Sequence, residues 1–297
     1  MSINRDYIQL HFIVFLWGFT AILGLLISIP SVELVFWRTL LAAIGLGLLL
    51  LFRKRNFRLG YKETLKIMAT GVLISSHWIL FFASARVSTA SVCLAGMATC
   101  SLWTSFLEPV MNNRKVKLFE VGLGLLVIIG LYIIFRFEFN YALGLFMALA
   151  SAFLASLFTV INGQFIHRYN PYMITFYEMI GACLGTVIFF PVHMQVFTNG
   201  ELELFPTGLD WLYILLLAWV CTVYAYSISV ELMKRLSAFA VNLAVNLEPV
   251  YGIILALIVF GDKEQMQLGF YLGTGMILLS VLCYPVLNRL FRRKKLV

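Results

Sequence analysis

Ten long apolar runs follow one another along this chain, and short polar segments separate them. A helix needs about 20 mostly apolar residues to cross a hydrocarbon core of about 30 Å. Membrane strands would instead show alternating segments of about ten residues, and these runs are longer and apolar on all sides. The pattern predicts transmembrane helices, numbered here as spans 1 to 10: 8–28, 32–52, 64–85, 88–111, 117–136, 142–166, 171–192, 208–230, 236–260 and 265–290.

The composition agrees with a protein that lives in lipid. Of the 297 residues, 62% are hydrophobic and only 12% are charged, whereas about a quarter of the residues of soluble domains are charged. The mean hydropathy is +0.94. We therefore expect an all-α integral membrane protein.

A short match between the two halves indicates an internal repeat. The segment from Arg86 to Val92 resembles the segment from Arg235 to Val241, and each joins one apolar run to the next. A weaker match sets Phe36-Trp37-Arg38 against Phe176-Tyr177-Glu178. Because each half holds five spans, the second half enters the membrane upside down. We predict two inverted five-helix repeats, residues 1–139 and 140–297, an arrangement that supports alternating access in transporters.

The basic residues predict the orientation of the spans. If the N-terminus is cytoplasmic, only Arg86, Arg136 and Lys263 lie outside, which agrees with the positive-inside rule. The prediction is a multi-pass protein of the plasma membrane, of the bacterial inner-membrane type, with both termini cytoplasmic. The basic residues then on the inside are Arg5, Arg53, Lys54, Arg55, Arg58, Lys62, Lys66, Arg114, Lys115, Lys117, Arg168, Lys234, Arg235, Arg289, Arg292, Arg293, Lys294 and Lys295.

Several classes of function are not expected. The charges flank spans and form no folded basic face, so we expect membrane lipids as partners and no nucleic acid. The five cysteines fall inside spans without CxxC spacing, which indicates neither a disulfide framework nor a zinc site. HExxH, P-loop, GxSxG and GxGxxG motifs are missing, so neither an enzyme nor a cofactor or metal is expected.

The candidate site consists of ionisable residues at membrane depth, where each is costly and by default functional. These are Arg38, His77, Glu178 and Glu248. At about 1.5 Å per residue, Glu248 lies near the midplane, while Arg38 and Glu178 occupy matching positions of the two repeats with opposite charge. Two interpretations stay open: contact with a solute or a coupling proton, or a structural pairing of Arg38 with Glu178, Glu248 or helix carbonyls.

Other polar and aromatic residues extend the candidate substrate site. Asn242 and Asn246 share a helix face at i and i+4, close to Pro249, which has no backbone N–H to donate. We favour this face as cavity lining over simple bonding between helices. His77 either orients a solute or bonds a neighbouring helix. Stacking on a solute and membrane core packing explain the deep aromatic residues equally well, and we include Trp17, Trp78 and Tyr177 in the site.

The chain also resembles a known family over nearly its whole length. The run from Ser237 to Val250, followed by Phe260-Gly261-Asp262, is similar to the penultimate helix of an EamA repeat in the drug/metabolite transporter superfamily. Leu16-Trp17-Gly18-Phe19 and Phe36-Trp37-Arg38-Thr39 are similar to the opening of the other repeat. The first half departs from the pattern, because Cys100 stands where the repeat match would put Pro249. The resemblance implies a ten-helix protein that moves amino acids, nucleotide-related metabolites or other small polar molecules.

These observations together predict a secondary transporter or facilitator of small polar or amphipathic metabolites. Amino-acid-like solutes are favoured, and export by alternating access is expected. The predicted partners are a small-molecule solute, a coupling proton and lipids, with the chain acting as a monomer or homodimer. One alternative is an intramembrane enzyme that acts on a lipid-linked substrate through His77 and Glu248. Another is a structural or sensing subunit with no transport of its own.

Overall fold

The computed structural model describes residues 3–54, 58–113, 118–137 and 139–293, and the regular secondary structure of these residues is entirely helical. Eight spans contain long apolar helices, and spans 5 and 10 have shorter apolar cores, Gly122–Ile134 and Leu268–Ser280. The predicted all-α membrane fold is confirmed. Of the basic residues that predict the orientation, Arg55, Arg114, Lys115, Lys117, Lys294 and Lys295 lie outside the described residues.

The helices agree with the predicted spans, and three of the spans are interrupted. Uninterrupted helices form spans 2, 3, 5, 6, 7 and 10: Ser31–Phe52, Tyr61–Val87, Leu118–Phe137, Ala142–Phe165, Pro171–Phe197 and Leu268–Arg293. Spans 1, 4 and 9 each consist of two helices: Ile3–Gly18 with Thr20–Leu26, Ala90–Met97 with Cys100–Met111, and Ala238–Val245 with Glu248–Phe260. Span 8 runs through Asp210–Leu215, a π-helical segment Leu216–Tyr224 and Ala225–Leu232.

Span 9 differs from the single helix that the sequence predicts. Its first helix ends at Val245, and a second helix begins at Glu248 after a break at Asn246 and Leu247. Pro249 thus lies in the first turn of a new helix, where the missing N–H removes no helical hydrogen bond. The break places a helix N-terminus, with its partial positive charge, in the middle of the membrane.

Span 4 breaks at the matching place in the first repeat. Both first halves begin with the same kind of cap: the Thr89 hydroxyl accepts from the Val92 amide and the Ser237 hydroxyl from the Ala240 amide, each at 3.1 Å. These caps lie within the two matching sequence segments. Discontinuous helices in corresponding positions are characteristic of transporters built from inverted repeats.

Glycines allow the closest contacts between spans. A Cβ added at Gly71 of span 3 would lie 2.1 Å from the Glu178 carbonyl oxygen of span 7, and one at Gly181 would lie 2.1 Å from the Met68 carbonyl oxygen. Spans 5 and 10 meet in the same way, since a Cβ at Gly273 would lie 2.5 Å from the carbonyl oxygen of Gly130. The small residues of spans 7 and 10 therefore pack within the chain, and a homodimer stays a prediction.

We expect Gly71→Ala to lower the free energy of unfolding in detergent by about 1–3 kcal/mol, as overpacked sites do. The added methyl group would overlap the backbone of span 7, so spans 3 and 7 would have to separate. Gly122→Ala is the matched control, because nothing lies within 4 Å of a Cβ there. Equal denaturation midpoints for the two variants would contradict this packing.

Candidate functional site

A cavity lies in the centre of the bundle, between spans 1, 2, 3, 4, 6, 8 and 9. Both repeats therefore contribute to it. Its polar and charged lining residues are Thr20, Arg38, His77, Cys100, Thr159, Cys221, Tyr226, Ser229, Asn242 and Glu248. Its apolar and aromatic lining residues are Trp17, Trp78, Phe81, Met97, Ala155, Phe158, Met233, Val241 and Val245.

Arg38 brings a positive charge into this cavity. Its side chain is buried, and its guanidinium lies over the Trp78 ring, 3.7 Å from the ring centre. Arg38 Nε donates a hydrogen bond of 3.0 Å to Thr222 Oγ1. No carboxylate of the described residues forms an ion pair with Arg38. A cation that is stacked and hydrogen-bonded without a counter-charge is suited to bind an anionic group.

The π-helical segment of span 8 positions the groups around Arg38. Thr222 Oγ1 donates to the Leu217 carbonyl five residues earlier, at 2.9 Å, while it accepts from Arg38. In the same segment, the Cys221 carbonyl accepts a hydrogen bond of 2.9 Å from Trp17 Nε1. Such π segments are frequent at functional sites. This one fixes both the Arg38 side chain and the Trp17 ring.

Glu248 brings a carboxyl group to the same cavity. It is buried and stands in the first turn of the second helix of span 9, where a helix N-terminus favours an anion. Thr20 Oγ1 contacts Glu248 Oε1 at 3.4 Å and also donates to the Trp17 carbonyl at 2.7 Å. Glu248 and Arg38, both described, are too far apart for an ion pair. The predicted structural pairing of these two residues is therefore not present.

His77 is held by span 6. Its Nδ1 lies 3.0 Å from the Ser151 carbonyl oxygen, and the Ser151 hydroxyl donates to the His77 carbonyl at 2.9 Å. The ring lies beside Phe81 and Phe158. A protonated Nδ1 that donates to Ser151 leaves Nε2 as an acceptor. His77 thus combines the helix-bonding role with a place in the cavity wall.

Comparison with known proteins decides the family. A model of the EamA-like transporter family matches residues 7–136 and 142–284. The chain belongs to the EamA-like transporter family. A protein of Bacillus subtilis (strain 168), the uncharacterised transporter YxxF, is 23% identical over 247 residues, which cover 80% of this chain and 76% of that protein. A solved crystal structure superimposes with a TM-score of 0.70 over 97% of this chain and 99% of its own, and at 15% identity it shows the fold alone.

Membership of this family establishes the general function and architecture of the protein. This EamA protein is a multi-pass membrane transporter with two EamA repeats, and a small-molecule solute is its cargo. The alternative of an intramembrane enzyme that acts on a lipid-linked substrate is therefore wrong. The repeat boundary between residues 139 and 140 stays a prediction.

Most of the predicted site residues come together in the cavity of this EamA transporter. The cavity wall contains Arg38, His77, Trp78, Trp17, Asn242 and Glu248. Asn242 Nδ2 donates to Thr104 Oγ1 at 2.7 Å, which joins spans 9 and 4 at the cavity. Asn242 therefore combines both interpretations, since it bonds a neighbouring helix and also lines the cavity.

Three predicted site residues lie outside the cavity wall. Tyr177 is half-buried against Phe176. Asn246 lies in the break of span 9, buried, with no hydrogen-bond partner for its side-chain amide among the described residues. Glu178 is fully buried and accepts from the hydroxyl of Tyr226 at 3.1 Å. A role of these residues in binding substrate stays a prediction.

Several residues of the wall are not predicted from the sequence, chiefly Thr20, Tyr226 and Ser229. Serine and threonine are common in membrane helices, where their hydroxyls bond the backbone of their own helix, so Thr20 and Ser229 carry no signal of their own. Thr20 stands three residues after Trp17, which places both on one face of an ideal helix. That spacing is the one feature of the sequence that could have predicted Thr20 as a residue of the cavity wall.

Proposed function

We propose that this EamA transporter moves zwitterionic, amino-acid-like solutes with an apolar side chain, and that it does so by alternating access as an exporter. One observation carries the proposal: Arg38 and Glu248 bring a guanidinium and a carboxyl group into one cavity and do not pair with each other. A solute carboxylate would bind the Arg38 guanidinium, and a solute ammonium would bind the Glu248 carboxylate. The solute thus supplies to each buried charge the partner that it lacks.

The rest of the wall suits the remainder of such a solute. Trp78, Phe158 and Tyr226 provide aromatic surfaces for an apolar side chain. His77 Nε2 would accept a hydrogen bond from the solute ammonium, and Asn242 would contact its polar end. A cavity that is mostly apolar with a few convergent polar groups is typical of small-molecule sites.

Contacts between the two repeats lie at both ends of the bundle and support alternating access. At the predicted cytoplasmic end, Arg235 Nε and a second guanidinium nitrogen donate to Asp6 at 2.8 and 2.9 Å. At the predicted external end, the Glu264 carboxylate accepts from the amides of Ala90 and Ser91, each at 2.9 Å. Breaking one set while keeping the other would open one end of the bundle at a time. The orientation itself, with cytoplasmic termini in a bacterial inner membrane, is part of the proposal.

Counterflow in proteoliposomes tests the proposed solute class. We expect radiolabelled L-leucine to exchange against unlabelled L-leucine. Isocaproate lacks the amine and leucinol lacks the carboxylate, and we expect each to compete at least about tenfold less well, since one charged hydrogen bond contributes about 1.5–3 kcal/mol. Empty liposomes are the control. Competition by both analogues as strong as that by L-leucine would contradict the paired-charge site, and failure of purified protein to move any solute of a broad metabolite panel would favour a structural or sensing subunit.

A further inference from the structure

A second polar cluster lies directly behind the cavity wall, formed by Asn162, Glu178 and Tyr226 of spans 6, 7 and 8. Glu178 and Asn162 have no exposed surface, and only Tyr226 reaches the cavity. Asn162 Nδ2 donates to the Tyr226 hydroxyl oxygen at 2.8 Å, and that hydroxyl donates to Glu178 Oε2 at 3.1 Å. The cluster is therefore a hydrogen-bonded chain that begins at the cavity and ends on a buried carboxyl group.

Two oxygen atoms of this cluster have no hydrogen-bond partner among the described residues. They are Glu178 Oε1 and Asn162 Oδ1, and both are buried. The Asn162 side chain also lies against the Glu178 carboxyl group. Two acceptors cannot bond each other, but a carboxylic acid has an O–H donor. A proton on the Glu178 carboxyl group would remove its buried charge and would supply such a donor within the cluster.

The surroundings of Glu178 favour a proton over a metal cation or a basic side chain. Tyr226 is the titratable side chain that contacts it, and span 3 faces it with the glycine backbone at Gly71. Arg38 of span 2 and His77 of span 3 line the cavity, and neither pairs with Glu178 in the described structure. Divalent cations such as calcium take six or more oxygen ligands, and this cluster offers fewer. Burial of an ionised carboxylate without a positive partner costs far more than burial of the neutral acid with a hydrogen bond.

We propose that Glu178 is the coupling-proton site of this transporter, distinct from the solute cavity and connected to it by the Tyr226 hydroxyl. This inference rests on the proposed function. The proton binds Oε1 and leaves to water when the bundle opens, so no other group is oxidised or reduced. A solute that presses on Tyr226 changes the hydrogen bond to Oε2 and hence the affinity of Glu178 for its proton. Linkage requires that the proton changes the solute affinity by the same factor.

Glu178→Gln tests the site in proteoliposomes that contain a pH-sensitive dye. The glutamine amide keeps an N–H donor where the acid has its O–H, but it carries no exchangeable charge. We expect wild-type protein to move protons in exchange for L-leucine and to accumulate L-leucine in a pH gradient, up to about tenfold per pH unit for the exchange of one proton per solute. In Glu178→Gln we expect both effects to vanish, while the counterflow that remains is insensitive to pH. Glu201→Gln, the same change in an exposed segment between spans 7 and 8, is the matched control and should behave as wild type.

The following outcomes would contradict either the assignment of the coupling proton to Glu178 or the proposed function on which it rests. Leucine movement in wild type without proton movement, or accumulation that follows a sodium gradient instead, would leave the proposed function standing and remove the proton site. Proton coupling that survives in Glu178→Gln would place the proton elsewhere. Absence of any leucine movement in wild type is a failure of the proposed function.

Infrared difference spectroscopy of the wild-type protein tests Glu178 without relying on a transport-competent variant. We expect the carbonyl band of a protonated carboxylic acid to disappear on raising the pH and to shift when L-leucine is added. The band should be missing from Glu178→Gln and present in Glu201→Gln. A wild-type spectrum with no such band, or a band that persists in Glu178→Gln, would overturn the proposal.

Discussion

Arg38→Ala is expected to lower L-leucine counterflow at least about thirtyfold and to leave the protein folded. Removing one partner of a buried, hydrogen-bonded charge pair costs about 2–5 kcal/mol, and here the lost partner is the one proposed to bind the solute carboxylate. Folding should survive because Arg38 has no ion-pair partner among the described residues, so its removal breaks no salt bridge within that part of the protein. Counterflow in proteoliposomes gives the transport rate, and size-exclusion chromatography in detergent reports folding.

One further variant and a control separate charge from geometry at Arg38. Arg38→Lys keeps the charge but loses the planar group over Trp78 and the Nε donor to Thr222, so we expect counterflow between that of wild type and Arg38→Ala. Arg53→Ala is the matched control, because Arg53 also lies over an aromatic ring, 5.0 Å from the ring centre of Tyr172, but outside the cavity. Wild-type counterflow in Arg38→Ala would remove Arg38 from the mechanism.

Glu248→Gln is expected to reduce L-leucine counterflow at least about tenfold and to change the preference between solutes. The glutamine keeps the shape and the hydrogen bond with Thr20 but loses the negative charge, and one charged hydrogen bond contributes about 1.5–3 kcal/mol. Wild type should prefer L-leucine to isocaproate, which has no amine. In Glu248→Gln this preference should fall towards equality, because the group proposed to bind the amine is then neutral. Competition assays in the same proteoliposomes measure both solutes.

The reciprocal pattern in Arg38→Ala makes the two predictions specific. That variant should lose the preference for L-leucine over leucinol, which has no carboxylate, and should keep the preference over isocaproate. Glu203→Gln carries the same chemical change as Glu248→Gln in an exposed segment and should behave as wild type. Identical selectivity in wild type, Glu248→Gln and Arg38→Ala would show that neither charge binds the solute.

The spans could be predicted because lipid leaves the backbone few ways to satisfy its hydrogen bonds. The breaks within spans 1, 4 and 9 were harder to predict from the sequence. Pro249 signals a disturbance in span 9, but a kinked helix and a new helix that begins at Glu248 have the same local sequence. Span 4 breaks at Ala98 and Thr99 with no proline or glycine between its two helices. The repeat match was the only indication there, and it gives no backbone conformation.

The charged residues of the site could be predicted from the sequence, whereas its hydroxyl-bearing residues could not. Arg38 and Glu248 stand out because charged residues are rare at membrane depth, whereas Thr20 and Tyr226 look like ordinary helix residues. The rotation of each helix is set by packing. The sequence does not show which face of span 7 is turned towards the site, so Tyr177 was predicted there together with Glu178. Successive residues of a helix point in directions about 100° apart, so the two side chains do not share one face. The π-helical segment of span 8, which orients Thr222, has no sequence pattern that sets it apart.

The most direct test of alternating access is the accessibility of a single cysteine at Ser229, which lines the cavity. Ser229→Cys would be made after replacing the native cysteines, Cys93, Cys100, Cys183, Cys221 and Cys283, and probed with a membrane-impermeant thiol reagent from each side of oriented vesicles. Cysteines at lipid-facing Leu184 and exposed Glu201 are the controls; the first should not react and the second should react from one side only. Alternating access through a central cavity predicts that the cysteine at Ser229 reacts from both sides and that L-leucine changes the ratio of the two rates. Reaction from a single side, unchanged by L-leucine at saturating concentration, would contradict it.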